Sequence, residues 1–488
     1  MKTSQKTSKK AGIVLISNII TATNQAIILI VLARLVSKDI LGDVLKLIMI
    51  YKTAVLLGNF GFNDNPYYFL PKLKPSSWGA FLYQCMRILF MSGLAAGLIS
   101  FVFFWYFFHN VWIGLFFIPI IALELTTSLI PDFLVAAGRV KASSVFNLSL
   151  SVLNVVMISS VCFYFDDKIL YLTYGFMVYN MVRILFTAAL IGKTLRRHRD
   201  ALPDNLLREQ LSFGIPLGLS SLTLRLNKQV DNYIVAFFFP SAVFAEYSVG
   251  SWEIPMLLKI PYSITTVYLS KYTRLFDEQR IAELHEKWLQ VGEKIIFLIV
   301  PITSFFLIFA NELIHAAFGS EFQQAVVVFQ IYTLTLYTRI SSYSGLLKSF
   351  GETRFILNQS ILIIVLNFVF NVIGVNMIGL YGAPIGTLLS NLVTLVIALR
   401  RISSILHVPM AGLLPYRFHF YTTSTSLLLA VLVKFGLMYL TSNAFVILIA
   451  GAIIFVPSFL LAASFLKIMK NEDWNFLMEF VGIRKKQN

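Results

Sequence analysis

Charged side chains inside long apolar stretches are the residues of this sequence that could do chemistry. In one such stretch, Ser221, Arg225, Lys228 and Asn232 follow one another at intervals of four, three and four residues. This spacing places them on one face of an α-helix. Arginine suits phosphate because its planar guanidinium donates a fork of hydrogen bonds. The pattern predicts an anion-binding helix face, with pairing to Asp231 on the adjoining stripe as the alternative.

The charges within apolar stretches are mostly positive. An ionised side chain at mid-membrane costs roughly 2.5–3.5 kcal/mol or more, so it usually faces a cavity or a partner. The embedded cations are Lys46, Lys52, Arg87, Arg183, Arg225, Lys228, Lys259, Lys294, Arg339 and Lys434, and the deep acids are Glu124, Asp132, Asp231 and Glu253. Their excess of cations predicts a cavity that attracts an anion such as a diphosphate.

Six of these cations are predicted to bind substrate in that cavity: Lys46, Lys52, Arg225, Lys228, Lys259 and Arg339. For Lys46 the alternative is snorkelling, in which the flexible side chain extends along the helix to the membrane surface. For Arg225 and Lys228 the alternative is an ion pair between helices. Lys434 lies outside the repeated part of the chain and is expected near the lipid or a partner protein.

The four deep acids, Glu253, Glu124, Asp132 and Asp231, are candidates for coupling transport to an ion. Burial raises the pKa of a carboxyl group toward neutrality, which a proton carrier requires. Glu253 is the first choice because Pro255 and Pro261 follow it closely. Pairing with a neighbouring Lys or Arg is the alternative for each acid. We expect no cofactor, with proton or sodium coupling left open, and no metal, because the six histidines have no metal-ligand spacing.

The composition identifies the elements that position these residues. Hydrophobic residues make up 57% of the 488 residues, charged residues 13%, and the mean hydropathy is +0.77. Soluble domains carry about 25% charged residues. So few charges cannot cover a water-exposed surface, and so much apolar content excludes disorder. The chain is therefore predicted to be an all-α integral membrane protein.

Fourteen stretches are long and apolar enough to cross a bilayer, which takes about 20 residues. They are 11–33, 41–62, 80–108, 111–137, 142–165, 169–192, 210–239, 243–270, 288–310, 322–347, 355–376, 380–399, 418–440 and 443–466. An even number of spans places both termini on the same side of the membrane.

The basic residues orient these spans. The chain has 40 Lys+Arg against 24 Asp+Glu, a formal charge of +16. With fourteen spans, nearly all the cations outside them fall on the side of the termini, and only Arg34, Lys38 and Lys168 fall on the other. Cytoplasmic loops collect Lys and Arg, so both termini are predicted to be cytoplasmic. The same distribution accounts for the positive charge without a nucleic-acid partner.

Two segments 213 residues apart share a pattern. Gly138 and Lys141 precede a Val-Leu-Asn triplet that ends at Asn154, and Gly351 and Arg354 precede the same triplet at Asn367, with the same offsets. Such a repeat indicates a duplicated bundle. The predicted organisation is an N-terminal six-helix bundle (1–193), a basic cytoplasmic linker (194–209), a C-terminal six-helix bundle (210–402), an added helix pair (403–466) and a cytoplasmic tail (467–488).

Three local stretches resemble a known family. They run from Ala33 to Gly42, from Asp231 to Ser248, and from Gly379 to Gly386. With the predicted topology, they resemble the polysaccharide-transporter branch, the Wzx-type O-antigen flippases, of the multidrug/oligosaccharidyl-lipid/polysaccharide exporter superfamily. Pro384 and Gly386 stand where Ala is more usual in that family.

The resemblance implies a fold and an activity. The fold is two six-helix bundles in a V around a central cavity, plus two C-terminal helices. The activity is to move an undecaprenyl-diphosphate-linked oligosaccharide from the cytoplasmic to the periplasmic leaflet of a bacterial inner membrane, by alternating access, for O-antigen, capsule or exopolysaccharide synthesis. The expected partners are that lipid-linked cargo, membrane lipids and, further along the same synthesis, a polysaccharide polymerase and a chain-length regulator.

Other activities are alternatives. Within transporters these are a lipid II flippase and a drug/cation antiporter, although a cavity for cationic drugs should be acidic. Among enzymes, the alternative is a membrane-embedded polysaccharide polymerase or ligase. Every predicted outer loop is short, and neither a Walker A nor a GxSxG motif occurs. We therefore expect a transporter and not an enzyme.

Overall fold

The computed structural model describes residues 24, 26–197, 202–252, 255–339, 343–466 and 468, and this part of the chain is helical with no β-strand. The helices up to residue 250 are α1 (Ala26–Leu35), α2 (Lys38–Asn59), α3 (Asn65–Phe69), α4 (Trp78–Phe108), α5 (Val111–Ser128), α6 (Ile130–Ala136), α7 (Val140–Tyr164), α8 (Lys168–Arg197), α9 (Leu206–Phe238) and α10 (Ser241–Gly250). The later helices are α11 (Pro255–Asp277), α12 (Ile281–Ile308), α13 (Ala310–Phe318), α14 (Gln323–Leu334), α15 (Tyr343–Ser349), α16 (Thr353–Ile378), α17 (Gly382–Leu406), α18 (Tyr416–Met438) and α19 (Ala444–Phe465).

Eight segments of the described residues are long and apolar enough to cross a membrane. One of them, Thr353–Leu406, contains both α16 and α17. The helical membrane architecture is therefore confirmed, whereas the count of fourteen spans stays a prediction. The predicted span 11–33 and the predicted tail lie largely outside the described residues.

The long helices α2, α9 and α11 are not among these eight segments. They carry several charged residues, including the predicted binding residues Lys52, Arg225 and Lys259. A helix with several charges is too polar to be surrounded by lipid on all sides. Sequence analysis placed most of the predicted binding residues on these three helices.

The predicted span 243–270 is not one continuous helix. Helix α10 ends at Gly250, and the amides of Ser251 and Trp252 bond to the carbonyls of Tyr247 and Val249 in the last turn. The next helix begins at Pro255, which has no amide hydrogen to continue a preceding helix.

The predicted span 322–347 is also interrupted. Helix α14 ends at Leu334 and is followed by a 3₁₀ turn over Thr335–Thr338. The hydroxyls of Thr335 and Thr338 donate to the carbonyls of Tyr332 and Thr335, at 2.6 and 2.7 Å. Side chains that bond to nearby backbone carbonyls compete with regular helix geometry and bend it.

The chain forms two compact units, residues 1–245 and 246–488. In the first unit, α4 packs along α5, where the missing side chains of Gly93 and Gly97 bring the backbone of α4 against Ala122 and Ile118. Small residues at helix crossings allow the close contact that stabilises helix pairs in lipid. Phe104 and Phe117 stack at 4.4 Å in the core beside this crossing.

In the second unit, α16 packs along α17 in the same way. The backbones of Gly374 and Gly382 touch, so that a side-chain carbon on Gly382 would lie 2.0 Å from the Gly374 carbonyl carbon. Helix α12 packs against α18, and α13 packs against α19. The division at 245 follows contacts within the chain, and the predicted boundaries of the two six-helix bundles stay a prediction.

The 213-residue repeat has a structural counterpart in a helix-ending turn. Gly138 and Gly351 both have φ of +76°, the left-handed region that glycine enters without strain. The amide of the next residue bonds to the carbonyl of Leu134 in the first copy and of Leu347 in the second. These bonds are typical of a Schellman helix end. The preceding helices, α6 and α15, also have the same length and offset.

Candidate functional site

Helices α2 and α9 form an antiparallel pair within the first unit. Gly42 near the start of α2 touches the backbone of Ser241, which follows α9, and Gly61 after the end of α2 touches Gly218. Between these ends, the Tyr233 hydroxyl lies close to Thr53. At each end the backbones are so close that any side chain on Gly42 or Gly218 would overlap a carbonyl group. The pair is therefore in contact at both ends.

Two of the predicted binding cations lie along this pair. Lys52 on α2 and Arg225 on α9 both have exposed side chains, whereas the neighbours Tyr51, Thr53 and Ala54 of Lys52 are buried. Because α2 and α9 run antiparallel, the middle of one helix lies beside the middle of the other. The structure thus places two exposed cations on adjacent helices, within a chain that has few charges.

The other predicted binding residues fall in different places. Arg339 is half-buried at the end of the 3₁₀ turn in the second unit. Asp231 is buried, with an exposure of 6%. The side chains of Ser221, Lys228 and Lys259 and the whole of Glu253 lie outside the described residues.

Lys46 is buried within a polar cluster that we call the charged end of the α2–α9 pair, formed by Gly42, Asp43, Lys46 and Ser241. The Ser241 hydroxyl donates a short hydrogen bond to the Asp43 carboxylate and accepts one from Lys46 Nζ at 3.1 Å. The rings of Phe107 and Phe244 lie 5.3 and 5.9 Å from Nζ. Lys46 therefore holds helices together in this structure and neither lines an open surface nor snorkels.

The opposite end of the pair contains a folded segment that we call the amide turn, residues 59–68. Its members Asn59, Asn63, Asp64, Asn65, Tyr67 and Tyr68 are amides, a carboxylate and phenols, with no Lys or Arg between them. The Asn59 amide donates to Asn63 at 2.9 Å and to Ser128 on α5 at 3.3 Å. Sequence analysis did not identify this segment, although its composition between two membrane helices is a usable signal.

Asp132 lies against the amide turn. The Tyr67 hydroxyl donates to its carboxylate at 2.9 Å. Burial and the adjacent Asp132 raise the pKa of Tyr67, so its hydroxyl stays protonated and remains a donor. The coupling candidate Asp132 is thus a hydrogen-bond acceptor at the surface of this turn.

Glu124 on α5 forms an ion pair with Arg183 on α8, in the interior of the first unit. Tyr179 and Tyr51 lie beside the pair. Arg183 itself is only 7% exposed. The structure shows the pairing alternative for Glu124, and its role in ion coupling stays a prediction.

Two ion pairs in the second unit were missed by sequence analysis. Lys434 on α18 donates to Glu312 on α13 and to the Ile308 carbonyl, both at 2.9 Å. Arg401 binds both carboxylate oxygens of Glu352, at 3.2 and 2.6 Å. These partners are more than forty residues apart in the chain, and no periodic pattern relates them.

Among the described residues, no group of three or more His, Cys, Asp or Glu side chains could hold a metal ion. The site is instead a set of cations and polar groups on long helices of a membrane protein. Such an arrangement can bind an anionic solute.

Known structures with this fold are transporters. A structure titled "Lipid II flippase MurJ, inward closed conformation" is similar with a TM-score of 0.70 and 15% identity, over 93% of this chain and 98% of that chain. An inward-facing multidrug resistance MATE family transporter of the MOP superfamily has a TM-score of 0.60 and 16% identity, over 79% and 95%. An outward-facing structure of such a transporter has a TM-score of 0.51 and 16% identity, over 81% and 96%. These identities show a shared fold.

The chain is therefore an all-helical membrane protein that shares the fold of these transporters. No curated protein sequence matches the chain significantly. A family model described as "Polysaccharide biosynthesis protein" matches residues 31–327, more than half of the sequence. The chain belongs to this polysaccharide biosynthesis family, and the resemblance found by sequence analysis is confirmed at that level.

Proposed function

We propose that this protein is a flippase that moves a polyprenyl-diphosphate-linked oligosaccharide, with undecaprenyl as the lipid, across a bacterial inner membrane for surface polysaccharide synthesis. The observation that carries the proposal is the exposed pair of cations, Lys52 and Arg225, on the adjacent helices α2 and α9. A diphosphate is the anionic group of this cargo, and Lys and Arg are the side chains that bind phosphate oxygens.

Membership of a polysaccharide biosynthesis family supports this cargo, because the sugar units of a surface polymer must cross the membrane on a lipid. The fold shared with a lipid II flippase supports movement of a lipid-linked sugar, and it makes lipid II the nearest competing cargo. The excess of embedded cations favours either of these anionic lipids over a cationic drug. The surface polymer made from the cargo is O-antigen, capsule or exopolysaccharide, and a polymerase and a chain-length regulator act after this step.

Transport assays in proteoliposomes test the proposal. Undecaprenyl diphosphate carrying one N-acetylglucosamine is placed in the membrane, and its arrival in the opposite leaflet is followed with a lectin that cannot cross. We expect wild-type protein to accelerate this movement, and Lys52→Ala and Arg225→Ala each to slow it by about tenfold to a hundredfold, as the loss of one charge-assisted hydrogen bond of roughly 1.5–3 kcal/mol implies.

The matched control is Arg274→Ala, which removes an exposed cation from the part of α11 next to Glu278. This variant should transport like the wild type. Lys-for-Arg exchange at 225 should retain part of the activity, since it keeps the charge and loses only the bidentate geometry. Unchanged rates in both alanine variants would refute the cationic path, and transport of lipid II alone would replace the proposed cargo.

A further inference from the structure

The amide turn has the chemistry of a sugar-binding site. Amide groups donate and accept hydrogen bonds at once, and carboxylates accept two, which matches the closely spaced hydroxyls of a sugar. An exposed aromatic ring offers an apolar face for the C–H groups of a sugar ring. Four Asn or Asp residues and two Tyr residues within ten positions supply all of these groups.

Hydrogen bonds hold the exposed groups of the turn in fixed positions. Tyr67 is 45% exposed, yet its hydroxyl is bound to Asp132, so the ring is oriented while its faces remain accessible. Tyr68 is different, because Phe213 stacks on its ring at 4.5 Å and Lys72 Nζ lies 3.3 Å from its ring centre. Tyr67 is therefore the ring available to a ligand, and Tyr68 supports the turn.

Asn65 is the second and independent sign of a ligand. Its side chain is fully buried, and among the described residues neither its amide nitrogen nor its amide oxygen has a hydrogen-bond partner. Buried polar groups in proteins are almost always hydrogen-bonded. The Asn65 amide lies near Gly214 of α9, at the end where Gly61 touches Gly218. Separation of α2 from α9 at this end would uncover an amide that already lacks a partner.

The usual location of tyrosines at membrane surfaces does not explain this arrangement. Such interfacial rings need only an apolar face and a hydroxyl in water. They do not require three asparagines beside them or a buried amide without a partner.

The distance between the amide turn and the cations fits one cargo molecule. Lys52 and Asn59 are seven residues apart on α2, which corresponds to about 10 Å along a helix axis. A diphosphate bound at Lys52 would place the sugar joined to it next to the amide turn. We propose that the amide turn binds the first sugar of the cargo, with Asn65 and Tyr67 as its main contacts, while Lys52 and Arg225 bind the diphosphate.

This inference rests on the proposed function, and a comparison of probes separates the two. Purified protein is titrated with bare undecaprenyl diphosphate, with the same lipid carrying one N-acetylglucosamine, and with the lipid carrying one galactose. We expect the wild type to bind at least one sugar-bearing probe more tightly than the bare lipid. Tyr67→Ala and Asn65→Leu should weaken the binding of that probe about fivefold to tenfold, which is the effect of one lost hydrogen bond or ring contact, and leave the affinity for the bare lipid unchanged. Lys52→Ala should weaken the binding of all three probes.

Control variants distinguish the loss of sugar recognition from a general loss of folded structure. Tyr164→Ala removes a tyrosine that is 76% exposed at the end of α7 and should change no affinity. Tyr67→Phe keeps the ring and should retain most of the preference for sugar. Protection of the buried thiols of Cys85 and Cys162 reports correct folding of each variant.

Equal wild-type affinity for all three probes, or an unchanged preference in Tyr67→Ala and in a folded Asn65→Leu, would overturn the inference while the proposed function stands. Failure of the wild type to bind any of the three would remove both.

Discussion

The two ends of the α2–α9 pair close by different chemistry. At the charged end, the Ser241 hydroxyl links the carboxylate of Asp43 to the ammonium of Lys46 beneath two aromatic rings. At the other end, Gly61 and Gly218 meet backbone to backbone beside the amide turn, whose own bonds join neutral amides. Charged groups contribute to the contact at one end, whereas close backbone packing and neutral hydrogen bonds form it at the other.

Because of this difference, the two ends of the pair should respond to different kinds of substitution. A buried charge pair loses stability sharply when one partner is removed, because the remaining charge is left without compensation. A close backbone contact is insensitive to charge but does not tolerate added volume. Substitutions that alter only charge should therefore affect the charged end alone, and substitutions that add volume should affect both ends.

The largest expected effect concerns the topology of the chain. A reporter enzyme fused to a residue on one side of the membrane is active, whereas one fused on the other side is inactive. Fusions at Arg197, Asp277 and Arg401 should report cytoplasm, and fusions at Asp167 and Ser320 should report periplasm, as the distribution of Lys and Arg predicts. A periplasmic signal at Asp277 would contradict the predicted topology of fourteen spans.

Removal of Lys46 should destabilise the charged end strongly. Lys46→Met leaves Asp43 with the Ser241 hydroxyl alone, and we expect a loss of roughly 3 kcal/mol of stability. The measurement is thermal unfolding in detergent, followed by a thiol-reactive dye at the buried Cys85 and Cys162. Adding Asp43→Asn to this variant should recover part of the loss, and a double variant less stable than the single one would refute the charge pairing.

Added volume should weaken both ends by similar amounts. Gly42→Leu and Gly218→Leu would each force a side chain into a carbonyl group of the neighbouring segment, and overpacking of this kind costs about 1–3 kcal/mol. The same thermal assay measures the loss. The matched control is Gly436→Leu on α18, where a side chain would meet nothing within 4 Å. Equal stability of all three variants would show that the glycine contacts do not hold the pair.

The neutral bonds of the amide turn should give the smallest effect. Asn59→Ala removes the bonds to Asn63 and Ser128, and we expect a loss of about 1 kcal/mol. Because no charge is involved, the loss should not change between low and high salt. A strong salt dependence would mean that the turn is held by charges and would abolish the contrast with the charged end.

Local patterns of the sequence predicted the helices and the helix-ending turns, whose geometry is determined locally. The apolar stretches became helices, and the Gly138 and Gly351 repeat became two identical helix-ending turns, because both depend on residues near one another in the chain. That Lys52 and Arg225 line a cavity stays a prediction.

The partners of buried charges could not be predicted in this way. Lys46 bonds to Ser241, 195 residues away, and Glu124 pairs with Arg183 across two helices. The identity of each partner depends on which faces of the helices contact each other, and the packing of the whole unit determines those contacts. The breaks after Gly250 and Leu334 were missed for a related reason, since apolar content alone does not show where backbone bonds change partners.

The bond between Lys434 and Glu312 bears on how small a working version of this transporter could be. Glu312 has a side chain only 5% exposed, and its cation comes from α18 of the added helix pair. A chain cut at residue 402, after the twelfth predicted span, would retain that carboxylate in an apolar environment without its counter-ion. The added helix pair is therefore an integral part of the second unit, and any minimal transporter made from this sequence must retain it or replace Glu312 as well.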